Sequence, residues 1–179
     1  MNRTIGFFAL VLLLAGCGGD DGSSGSEEYA NTVCGDVSSW VADMQDTVKS
    51  LTDAGLSTDQ DDLKAAFDDA KDSTETMIRD LGELDPPATD AGTKAKSGLD
   101  SLGSQLHQQL DTMEQALNGS APPLTQLSTI TAAISAATKE VQSTYNELKG
   151  LDPAGELQDA FENAEDCKTL SDQLDEIGS

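Results

Sequence analysis

The stretch Leu63–Pro87, LKAAFDDAKDSTETMIRDLGELDPP, decides the fold class. Its core-type positions are Leu63, Phe67, Ala70, Thr74, Met77, Leu81 and Leu84, with four- and three-residue steps alternating along the run. That spacing lines one face of an α-helix, while the intervening positions are mostly charged or polar. Asp85-Pro86-Pro87 then interrupts it. Asp85 is placed as the N-cap of a following helix and Pro86 as its first residue.

The same period recurs on both sides. A preceding stripe runs Val33, Val37, Trp40, Val41, Met44, Val48 and Leu51 and stops near Ala54-Gly55. Ser57-Thr58, followed by acids, opens the helix that contains Leu63. A third stripe comprises Ala91, Ala95, Leu99, Leu102, Leu106, Met113 and Leu117, ending at Asn118-Gly119. After Ser120–Leu124 (SAPPL) comes a fourth, with Leu127, Ile130, Ile134, Ala137, Val141, Tyr145 and Leu148. Asp152-Pro153 caps a fifth, shorter one carrying Leu157, Phe161, Ala164, Cys167, Leu170 and Leu174. Strand signals are almost absent. Short loops between long amphipathic helices predict an all-α, up-and-down antiparallel bundle of four long helices plus a shorter C-terminal fifth helix. The second and fourth helices echo each other at a shift of 67 residues, each ending Leu-x-x-Leu-Asp-Pro. A duplicated hairpin and similar packing duties both account for that.

The N-terminus has a different character. Arg3 precedes an apolar run, Ile5 to Leu14, too short to span a bilayer core but suited to a secretory signal. The string Leu14-Ala15-Gly16-Cys17 resembles the lipobox of bacterial lipoproteins. The resemblance implies cleavage before Cys17, a diacylglycerol thioether on its thiol and acylation of the new amine. Two or three chains hold a protein on a membrane stably where one does not. The expected organisation is a signal peptide at 1–16, a flexible acidic Gly/Ser linker at 17–27 and a helical-bundle domain at 28–179. The whole looks like small helical lipoproteins of Gram-positive, especially actinobacterial, envelopes. That likeness brings an extracytoplasmic, lipid-anchored address and no activity.

Composition narrows the partners. The chain of 179 residues carries a net charge of −23; removing the first 16, which hold one Arg and no acid, leaves 163 residues at −24. Such a surface repels nucleic acid and anionic lipid and tolerates a cationic partner. With Cys17 assigned to lipid, Cys34 and Cys167 remain, and in an oxidising compartment a bridge between them is the economical pairing. Two buried free thiols and intermolecular pairing are the alternatives. In simple alternation the first and fifth helices run parallel, so the bridge demands an axial shift.

Chemistry-bearing motifs are scarce. His107, the only histidine, cannot alone build a triad or a multi-histidine metal site. There is no GxSxG, P-loop, post-strand GxGxxG or HExxH, and the cysteine spacing excludes CxxC chemistry. Asp61, Asp68, Asp72 and Glu75 share one outer helix face beside Asp62 and Asp69. That ridge is a weak candidate for cations and otherwise a solvated face. Trp40, among Val37, Val41 and Met44, reads as core. Asn118-Gly119-Ser120 matches a glycosylation sequon, but the bacterial export signal argues against that chemistry and a turn accounts for the sequence. The expected function is a non-enzymatic binding or scaffolding module needing no cofactor. The alternative is a carrier for a small or cationic ligand.

Overall fold

The computed structural model describes residues 21–54, 60–151 and 155–177. The signal segment, Cys17, the Ser57-Thr58 start and the Asp152-Pro153 cap lie outside these. The described residues form six helices and no strand: α1 (Asp21–Ala54), α2 (Gln60–Glu83), α3 (Asp90–Asn118), α4 (Pro123–Gly150), α5 (Glu156–Asn163) and α6 (Glu165–Ile177). They pack around one continuous apolar core. The residues of the Leu63–Leu81 stripe are all buried, including Thr74. Trp40 is sealed in the core, its indole N–H donating to Thr74 Oγ1 at 2.9 Å while Thr74 donates to Ala70 O at 2.6 Å. The polar atoms of this α1–α2 contact are therefore satisfied without water.

Among the described residues, helix α1 runs from Asp21 to Ala54 and so includes residues 21–27. Tyr29 and Ala30 are buried, and Ser26 is almost fully covered one turn earlier. Once that packing nucleates the helix, adding residues to its front costs little.

The expected fifth helix is two helices. Ala164 is extended (φ −55°, ψ 135°) between α5 and α6. Leu157, Phe161, Ala164, Cys167, Leu170 and Leu174 are nevertheless all buried. The break lets α5 cover the start of α1 and the adjoining part of α4, while α6 follows α1. Phe161 meets Tyr29 edge to face at 6.4 Å. Asn31 Oδ1 accepts the Asp166 amide at 3.4 Å, and Ser38 donates to Gln173 at 2.8 Å. Numbers thus rise together along α1 and α6. Cys34 and Cys167 stand in that register with Cα atoms 4.9 Å apart and are disulfide-bonded. Tyr145 adds a tie from α4, donating to Cys167 O at 3.1 Å.

The entry to α3 is also corrected. Asp85 and Pro86 do not start it; Thr89 is the N-cap, and its Oγ1 accepts the Gly92 amide at 2.9 Å. The cause is Pro87, because a residue preceding proline is pushed out of the α region and Pro86 cannot be helical. Pro122 obeys the same rule before Pro123: it is extended (ψ 149°), and α4 starts with Pro123. Small residues let the helices approach closely. Gly103 on α3 faces Ile78 of α2 so tightly that a Cβ would lie 3.2 Å from its Cγ2. Ala70, Ala95, Ala133 and Ala137 are buried likewise. A core poor in aromatics is filled by proximity, leaving a void of only about 10 Å³ among Val33, Leu99, Val141 and Leu170.

Candidate functional site: an acidic groove between α1 and α2

An open groove of about 520 Å³ lies between the last third of α1 and the first half of α2. Leu51, Ala65 and Ala66 contribute its apolar surface. Asp43 and Asp46 stand on the α1 side; Asp62, Asp69 and Asp72 stand on the α2 side. The spacings are helical: about one turn separates Asp43 from Asp46 and Asp69 from Asp72, and about two turns separate Asp62 from Asp69. Ser73 donates to Asp43 Oδ2 at 2.6 Å and bridges the walls at one end. Thr47 points back to its own helix, donating to Asp43 O at 2.9 Å. Ala65 and Ala66 contribute only methyl groups between the α2 aspartates, which leaves the trough open.

The ridge anticipated from sequence is divided by this geometry. Asp72 joins Asp62 and Asp69 on the groove, whereas Asp61, Asp68 and Glu75 do not line it. Glu75 sits 3.8 Å from Lys71, one turn away on the same helix. Asp43 and Asp46 were missed, although their three-residue spacing beside the buried Met44 and Thr47 places both on a solvent face next to the core. No group of three or more ligating side chains stands within reach of one ion among the described residues. His107 is on the exposed face of α3, its Nδ1 within 2.9 Å of Gly103 O, and takes no part in the groove.

Elsewhere, three groups are perturbed, of which Tyr145 is raised by burial alone. Burial, reinforced by the Asp100 charge, pushes the Tyr29 hydroxyl up to about 12. That hydroxyl is buried without a hydrogen-bond partner. Asp36 is raised by partial burial and by the neighbouring Asp80 carboxylate. Large exposed hydrophobics among the described residues are confined to Leu124 and Ile177. A second groove of about 330 Å³ runs along the other side of α1, between Met44, Val48, Ile134 and Ile177. No helix among the described residues is long and apolar enough to cross a membrane. No protein-family model, curated protein or solved structure matches this chain.

Proposed function

We propose that the chain is a lipid-anchored, extracytoplasmic, non-enzymatic binding module of the cell envelope, and that its acidic groove receives a cationic, amphipathic segment of a protein partner. The observation that carries this reading is the groove itself: five aspartates around an alanine and leucine surface in an open trough of about 520 Å³. An open trough suits a side of a helix better than a small enclosed ligand. Its charge selects a basic partner and speeds encounter, an effect that falls with ionic strength.

The finer topology supports the same reading. Asp43 meets Ser73, and farther along α1 Leu51 shares the groove with Asp62 and Ala66, as expected for antiparallel neighbours in an up-and-down bundle. Asp43 lies 22 residues along α1 from Asp21, about 33 Å at helical rise. An anchor at Cys17 with α1 upright on the bilayer would hold the groove away from the lipid and favour a protein segment as its occupant.

Titration calorimetry with a synthetic helical peptide bearing lysine on one face and leucine on the other tests the groove. Binding is expected to weaken at high ionic strength and with Asp46→Asn/Asp69→Asn/Asp72→Asn, and to persist with Asp111→Asn/Glu114→Gln on α3. Equal loss from both sets would reduce the interaction to bulk charge and reject the groove. Mass measurement of Cys17 in native material tests the anchor separately.

A further inference from the structure

The turn between α3 and α4 carries chemistry that the groove does not use. Asn118 is the last residue of α3, and Gly119 follows it in an exposed turn that runs to Pro122. The Gly119 amide has left the helical ladder and reaches only Ala116 O, at 3.3 Å. Asn118 is exposed, and its side chain makes no hydrogen bond among the described residues. The other described asparagines differ in the residue that follows them and in how their side chain or backbone is held. Asn31, Asn146 and Asn163 precede Thr32, Glu147 and Ala164, whose side chains crowd an approach to the following amide. Asn31 Oδ1 accepts from Asp166, and Asn163 Nδ2 donates to Asp159 O at 2.8 Å. Asn146 lies inside α4, where the helix fixes its backbone.

We infer that Asn118 is a site of intramolecular deamidation that ages this turn. The Gly119 nitrogen attacks Cγ of Asn118; its proton passes to water, the new N–C bond closes a five-membered imide, and the side-chain nitrogen leaves as ammonia. Water then opens the imide at either carbonyl, giving aspartate or isoaspartate. Glycine permits the reaction because it has no side chain to obstruct the ring and is free to leave its extended conformation (φ −74°, ψ 165°).

The product is coupled to the core through Gln126. That residue is 3 % exposed, and its Nε2 donates to Gly119 O at 3.2 Å and Leu117 O at 3.5 Å, one carbonyl on each side of Asn118. Isoaspartate inserts a methylene into the main chain between those two acceptors, so Gln126 cannot hold both. The new carboxylate also falls at the C-terminal end of α3, beside Asp111 and Glu114, where the helix dipole disfavours negative charge. The modification therefore loosens the connection between α3 and α4.

The test ages the purified chain at mildly alkaline pH and reads amide-to-acid conversion at each asparagine by peptide mass, with isoaspartate detected by enzymatic methylation. Conversion at Asn118 is expected to outpace Asn31, Asn146 and Asn163 severalfold in the folded chain. Aged material should then exchange the amides of Leu117–Gln126 faster than fresh material. Asn118→Gln, which needs a larger ring, should stay unmodified. An Asn118 that survives in the folded chain but converts in urea would overturn the inference, as would a folded-state rate no faster than that of Asn163.

Discussion

Tyr29 presents a hydroxyl buried without a partner, and two consequences follow from that atom. Removing an unsatisfied buried polar atom relieves its desolvation cost, so Tyr29→Phe should stabilise the fold by about 1 kcal/mol in urea unfolding. The substitution keeps the ring against Phe161. The second consequence concerns alkali. With a folded value near 12 against an ordinary 10, the neutral phenol is favoured by folding. Its contribution is complete below about pH 10 and is lost as pH rises towards 12, where the unfolded chain ionises first. The variant should therefore lose less stability than the parent across that window. Asp36 has the same sign at the acid end: raised above 3.8 by burial and Asp80, it disfavours folding once ionised. Asp36→Asn should raise the thermal midpoint at neutral pH, and the gain should vanish in acid.

Among the elements, the first turn of α3 is the least tolerant of change. A Cβ on Gly92 would collide with the Pro87 carbonyl, which is backbone and cannot swing aside. Gly92→Ala should cost about 1–3 kcal/mol, against a few tenths for an exposed alanine substitution. The bridge between α1 and α6 spans 133 residues of sequence, so Cys34→Ser/Cys167→Ser should lower stability by about 5 kcal/mol in the chain-entropy treatment. Helix existence was legible throughout, because every stripe has a buried face. Two boundaries were not read correctly, for different reasons. The start of α3 was encoded: Pro86 precedes Pro87, and that pair excludes Asp85 as a cap. The break at Ala164 was hidden, since the three- and four-residue steps from Leu157 to Leu174 continue across it. Tertiary packing on α1 sets that break, and no local residue announces it. The parallel course of the first and last helices was expected, and the Asn31–Asp166 and Ser38–Gln173 hydrogen bonds run in that sense.

For the whole molecule, charge dominates. Ten basic residues face 33 acidic ones, and the described ion pairs lie at the surface, where each contributes little. Screening should therefore raise the thermal midpoint: melts at low and high ionic strength should separate, with the salted sample the more stable. An unchanged or lowered midpoint would show that self-repulsion is not what limits stability. The groove shows why half of a site can be read from a sequence and half cannot. The α2 acids announced themselves as one helical face, but only the docking of α1 turned Asp72 inward with Asp43 and Asp46 and left Asp61, Asp68 and Glu75 outside.

The lone indole offers an optical consequence. Trp40 is fully buried and hydrogen-bonded across to α2, close to the Asp43–Ser73 bridge that ends the acidic trough. Its emission has a single source, so wavelength and quantum yield report whether these two helices remain seated on each other. A red shift that precedes loss of helical ellipticity on heating would mean that this seam parts before the rest of the protein melts.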